Sequence, residues 1–182
     1  MTWTLPGTTL QGKRADAGRT DGLFQSMMLT GGLTLGQVAT ITGLEPYTVQ
    51  NWVKRGFLPA PRGKRYDMEQ LCRIITINML RGALALEKIC GLLSYINGSL
   101  TDESNDIIDD TALYFMFVKL AARARDLEGA EWEEAIADTL AGYLEPYPGA
   151  RQRIGQVLRI MLTAWISTRM RQEAEAMLST LS

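Results

Sequence analysis

Residues 33–66 read LTLGQVATITGLEPYTVQNWVKRGFLPAPRGKRY, and few folds accommodate that order of helix starts, stops and turns. Thr34 is a good N-cap for a helix over 35–42, which turns Leu35, Val38, Ala39 and Ile41 inward. Gly43 sits where a positive φ ends such a helix, and Leu44 can pack beneath the turn. Pro46 suits the first position of the next helix, where its missing N–H costs nothing. On a helical wheel for 46–55, Val49, Trp52 and Val53 fall on one side. Tyr47, Thr48, Gln50, Asn51, Lys54 and Arg55 cover the other. Gly56 then stops the helix, and Phe57 and Leu58 return to the core. Pro59, Ala60 and Pro61 force an extended path into the tight basic turn of Arg62, Gly63, Lys64, Arg65 and Tyr66. The spacing predicts a two-stranded wing over 57–66.

Two short helices joined by a glycine turn offer a row of side chains to the DNA major groove. Gln and Asn bond bidentately to adenine, while Lys and Arg reach guanine or phosphate. The same polar row on an ordinary amphipathic helix would simply be solvated. The basic turn tips the balance, because three cations in four residues on a stiff loop would grip backbone or minor groove. Tyr66 either stacks or donates to a phosphate there, or packs its ring into the core.

Charge is divided unevenly along the chain. Residues 1–91 carry 11 Lys and Arg against 6 Asp and Glu, and residues 92–182 carry 8 against 14. A basic first half beside an acidic second half fits one part that meets phosphates and one that does not. Histidine is absent, which removes Ser-His-Asp and Cys-His nucleophilic sites, histidine general bases and most zinc chemistry. Cys72 and Cys90 imply neither a metal site nor a disulfide framework, and are expected to be reduced core cysteines. No phosphate-cradling glycine loop or metal-ligand cluster is present either, so neither an enzyme nor a bound cofactor is expected. The N-terminus lacks the pattern of a signal peptide, and the apolar run 157–166 is interrupted by Arg159 and too short for a membrane span. The expectation is a cytoplasmic protein with no membrane partner.

Residues 1–22 mix Gly, Thr and charges without periodicity, which predicts an extended or poorly ordered arm, and a short helix over 23–29 follows, ended by Gly31 and Gly32. Trp3 or Leu5 would anchor the arm. Lys13, Arg14 and Arg19 belong to a solvated tail, although they could reach a DNA backbone. Asp67 with Gln70 makes a capping-box start for a helix over 68–81, with Leu71, Ile74, Ile75, Ile77, Met79 and Leu80 inward and Arg73 and Arg81 outward. A further short helix is predicted over 86–95.

The acidic run TDESNDIIDD, 101–110, fails the spacing of a calcium loop, because Ile107 and Leu113 stand at the sixth and twelfth positions counted from Asp102. Helices are predicted over about 105–127, 132–144 and 150–178. Ile154, Val157, Leu158, Met161, Ala164 and Trp165 repeat at helical spacing along the last. They form either a homodimer seam or a face packed within one subunit.

The run Val38-Ala39, the turn Thr42-Gly43-Leu44, Thr48-Val49, Trp52, Gly56-Phe57-Leu58-Pro59, Pro61-Arg62 and Arg65-Tyr66 together resemble the MerR-type winged helix–turn–helix. More closely, TVQNWVKRGFLPAPRGKRYDMEQL followed by LALEKICGLL resembles the bacterial family known as domain of unknown function 1836, for which a DNA-binding, MerR-like head is expected. The likeness spans roughly residues 33–95. It implies that Arg62, Arg65 and Tyr66 are wing contacts. Two departures narrow it. MerR regulators commonly place Arg followed by Tyr or His where this chain has Gln50 and Asn51, and they carry a long dimerisation helix directly after the head.

The fold expected is therefore mainly α. It has an arm and short helix over 1–32, a MerR-like winged helix–turn–helix with a small β wing over 33–97, and an all-α domain over 98–182 for dimerisation or effector binding. The function expected is a sequence-specific DNA-binding transcription regulator with double-stranded DNA as partner. Tyr47, Thr48, Gln50, Asn51 and Lys54 would face the major groove, and Arg55, Arg62, Lys64, Arg65 and Tyr66 the backbone or wing contacts. The alternative is a protein-interaction adaptor that uses the same head without DNA.

Overall fold

The computed structural model describes residues 2–98, 107–124, 127, 129 and 131–181. Among them, strands β1 (Thr2–Thr4) and β2 (Gln11–Lys13) pair antiparallel, with Trp3 opposite Gly12. A 3-10 turn, Arg14–Arg19, leads into α1 (Thr20–Met27), and Gly31 ends a second short 3-10 turn at φ 80°. The remaining helices are α2 (Leu35–Thr42), α3 (Pro46–Lys54), α4 (Met68–Leu80), α5 (Leu86–Asn97), α6 (Asp110–Ala124), α7 (Glu131–Thr139) and α8 (Ala150–Ser179). The chain is mainly helical, as its periodicity predicts. No helix among the described residues is long and apolar enough to cross a membrane.

The arm expected at the N-terminus is instead folded onto the body. Trp3, Leu5 and Phe24 are buried, and Trp3 meets Trp165 of α8 edge-on with ring centroids 6.5 Å apart. The Tyr114 hydroxyl in α6 donates to the Pro6 carbonyl at 3.0 Å. Arg14 donates through Nε and Nη2 to the Ala122 carbonyl at 3.1 and 2.6 Å, so this cation binds the helical body and is not held out toward DNA. Gly7 shows how close the approach is. At φ 73° it lies so near α4 that a Cβ would stand 2.4 Å from the Ile75 carbonyl oxygen.

Helix α4 is the axis of the molecule. Asp67 and Gln70 close the capping box that the sequence predicts, at 2.9 and 3.0 Å. Residues 70–77 are buried without interruption, because α2, α5, α6 and α8 all pack around this one helix. That overturns the outward placement of Arg73. Its side chain is 4% exposed, and its Nη1 lies 3.0 Å from Asp110 Oδ2 at the start of α6. Asn97 adds a donor to Asp110 Oδ1 at 3.4 Å. Burial pushes the Asp110 carboxyl up, against the pull of the Arg73 charge.

The expected β wing is corrected as well. Among the described residues the ladder is the N-terminal hairpin, and 57–66 holds only an isolated Arg62–Arg65 bridge. Pro59 and Pro61 have no N–H to give a ladder, so strand pairing cannot extend back from the turn. Tyr66 pairs with Leu33 instead, N to O in both directions at 2.8 and 2.9 Å.

In the second half, the predicted 132–144 helix stops at Thr139 and leaves Leu144 90% exposed. The acidic segment 99–106 lies outside the described residues, as does the predicted start of the 105–127 helix. On α8, the residues that could have formed a dimer seam, Ile154, Val157, Leu158, Met161, Ala164 and Trp165, are all buried on the face that packs against α4, α5, α6 and α7 of the same chain. The within-subunit alternative holds for that face. Beyond it, residues 170–181 are exposed on every side.

Candidate nucleic-acid interface

The helix pair is set by local chemistry. Thr34 Oγ1 accepts from Gln37 N at 3.3 Å while Gln37 Oε1 accepts from Thr34 N at 2.8 Å, which closes a second capping box. Gly43 ends α2 at φ 69°, and the Thr42 hydroxyl bridges the turn by donating to Val38 O and accepting from Leu44 N. Pro46 opens α3. Val49 and Trp52 are buried beneath it, and this inward seam fixes which side chains must face out.

Those outward residues are Tyr47, Gln50, Asn51 and Lys54, with Thr48 half-buried at the edge. None of the Gln50, Asn51 and Lys54 side chains bonds to another described residue. They form a row of two amides and a cation open to solvent. Arg55 differs, because its Nη2 lies 2.6 Å from Glu87 of α5 and its guanidinium sits 4.6 Å over the Phe57 ring. As an exposed pair it is worth a fraction of a kcal/mol, about 0.2–1.

Helix α4 positions the loop after α3 through polar side chains whose roles the sequence did not reveal. Arg73 Nε donates to the Phe57 carbonyl at 3.1 Å, and Gln70 Nε2 donates to Ala60 O at 3.0 Å and Pro59 O at 3.3 Å. Asn78 Nδ2 donates to both Gly7 O and Thr42 O, which locks the end of α2 and the N-terminal loop onto α4. Each bond has a partner 10 to 71 residues away. No local pattern announces such contacts.

The basic turn is a two-residue reversal. Gly63 and Lys64 have φ of 56° and 62°, and Arg65 N donates to Arg62 O at 2.9 Å. Two successive positive φ values make the mirror-image hairpin turn in which Gly or Asn usually holds the second place. Lys64 is the one non-glycine with positive φ among the described residues. The side chains of Arg62 and Lys64 are exposed and bond to no other described residue. Arg65 folds back, its Nη1 donating to Gly32 O at 2.8 Å. Tyr66 is 3% exposed, so its ring packs in the core and the phosphate-contact reading is corrected. Leu33 carries the Tyr66 pairing just ahead of α2, which seats the basic turn at the start of the helix pair.

Residues 33–117 match the family described as domain of unknown function DUF1836. The matched segment contains α2, α3, the basic turn and α4 but not Gly7 or Gly32, whose carbonyls accept from Asn78 and Arg65, and it ends within α6, past the Asp110 partner of Arg73. A curated relative, the uncharacterized protein YkrK of Bacillus subtilis (strain 168), is 31% identical over 84 residues. That alignment covers 44% of this chain and 36% of the relative, so the chain spans about a third of the relative's length. No solved structure matches the chain.

Proposed function

We propose that this chain is a sequence-specific DNA-binding regulator with a MerR-like head: α3 enters the major groove and the Arg62–Lys64 turn lies on backbone or minor groove. The observation that carries the reading is the exposed, unengaged row of Gln50, Asn51 and Lys54 on a helix whose opposite face is locked into the core. Lys64 adds to it. A lysine kept in a left-handed conformation that glycine or asparagine would adopt with less strain fits a position retained for its charge. Gln50 and Asn51 read bases, while Lys54, Arg62 and Lys64 neutralise phosphates. Arg55 and Arg65 act mainly on the head itself.

The test is fluorescence anisotropy on duplex DNA over a range of salt. Three phosphate-neutralising cations give a log–log salt slope of about −3 per head, and twice that for a pair. No binding to any duplex at low salt would overturn the reading. It would favour a protein-interaction adaptor instead, for which the observation is Tyr47, an aromatic ring 68% exposed at the start of α3. Two copies would pair through the far end of α8, where Met170, Ala174, Met177 and Leu181 recur at the four-three-four spacing of a coiled-coil seam.

A further inference from the structure

A cleft runs between the N-terminal hairpin, the end of α4 and the middle of α8. We propose that it binds a small organic or inorganic anion, recognised through a carboxylate or phosphate group. Among the described residues, three arginines line it, Arg81 at the C-terminal end of α4 and Arg169 and Arg171 from α8, and no aspartate or glutamate does. Arg169 and Arg171 come from the half of the chain whose charge is net negative. The α4–α5 turn closes against α8 at one end, where a Cβ on Gly82 would stand 2.7 Å from Thr168 Cγ2.

Arg81 is aimed by its Nε bond to Asn78 Oδ1 at 3.0 Å, and Asn78 is itself fixed by the Gly7 and Thr42 carbonyls. The Arg169 guanidinium lies 4.8 Å over the Trp165 ring, which meets Trp3 edge-on. Arg171 pairs with Glu175 one turn away, an exposed contact that a ligand carboxylate can replace. Trp3, also in the wall, keeps its indole N–H buried with no acceptor among the described residues. An acceptor carried in by an anion would satisfy it after a small shift of the hairpin. Thr42 and Gly43, the turn between α2 and α3, form part of the same wall, so occupancy would brace the helix pair against α8.

Inorganic phosphate and succinate, titrated separately against sodium chloride of equal ionic strength, test the site in the whole chain without DNA. The response to at least one is expected to saturate in tryptophan fluorescence and to raise the melting temperature. The arm that responds distinguishes phosphate from carboxylate recognition. Arg81→Gln with Arg169→Gln should weaken that response about tenfold or more while the unliganded far-UV spectrum is kept. Arg169→Gln with Arg171→Gln, which leaves the Asn78 network untouched, gives the same reading if the first pair perturbs folding. Two results would overturn the proposal: no saturable response to either probe above the chloride control, or an undiminished response in both variants. So would a loss of duplex binding in ligand-free variants, which would assign these arginines to DNA. Failure of DNA binding by the native chain leaves the anion test intact.

Discussion

Arg73 and Asp110 are joined by a buried 3.0 Å ion pair that ties α4, the axis of the molecule, to the first residue of α6. Arg73 also holds the Phe57 carbonyl through Nε, so one guanidinium fixes both the loop after α3 and the α4–α6 contact. Removing one partner leaves the other charge buried alone. Asp110→Ala is expected to cost about 3–5 kcal/mol in denaturant unfolding, and the Arg73→Met, Asp110→Leu double variant to recover most of that. Additive losses in the double-mutant cycle would show that the pair contributes nothing as a pair.

Lys64 gives a prediction in which stability and binding move in opposite directions. Relief of a left-handed lysine is worth on the order of 1 kcal/mol, so Lys64→Asn should raise the melting temperature by about 2–4 °C. On the proposed reading the same change removes a phosphate contact, and affinity for all duplexes should fall together. A drop in both stability and affinity would mean that the turn is not strained as its φ indicates.

On the proposed DNA reading, base reading and backbone holding should separate on the interface. Gln50→Ala or Asn51→Ala should cost about 1–3 kcal/mol on the preferred site and flatten the preference between sequences. Arg62→Ala should weaken every duplex and lower the salt slope by about 1. Competition between specific and random duplexes measures both. Equal behaviour of the two classes of variant would remove the division of roles.

The thiols should be inert. Burial pushes the Cys72 thiol far above its ordinary range, and burial also raises that of Cys90. Ellman's reagent at neutral pH should leave Cys72 unlabelled in the native chain and label it on unfolding. Rapid native labelling of Cys72 would show that α4 opens, against its packing on every side.

The far end of α8 is predicted to decide self-association. Met177→Glu with Leu181→Glu should convert a concentration-dependent dimer into a monomer by sedimentation, with the far-UV spectrum unchanged, since both residues are exposed. A native monomer across the micromolar range would exclude this seam.

Features held together by neighbours in the sequence were readable from it. Thr34, Gly43, Pro46 and the Asp67–Gln70 box each act within a few residues, and each stands where its chemistry predicts. Arg73 was misplaced because a charged residue on a helix is outward by default, and its partner lies 37 residues away. Tyr66 left two readings open, and the Leu33 bridge resolved them toward the core. Of the N-terminal hairpin, the anchors Trp3 and Leu5 were legible but the strand pairing was not. Its strands are three residues each, too short for a period, and its support comes from Trp165, Tyr114 and Ile75 far along the chain.

That hairpin bears on how the head can be handled. The family match starts at residue 33, yet Gly7 rests on the α4 backbone and Asn78 binds Gly7 and Thr42 with one amide. A fragment cut at the family boundary would bare the Ile75 surface of α4 and leave Asn78 with one of its two acceptors. The recognisable module and the cooperative folding unit are therefore different objects in this chain. Tags, truncations and domain grafts should respect the second.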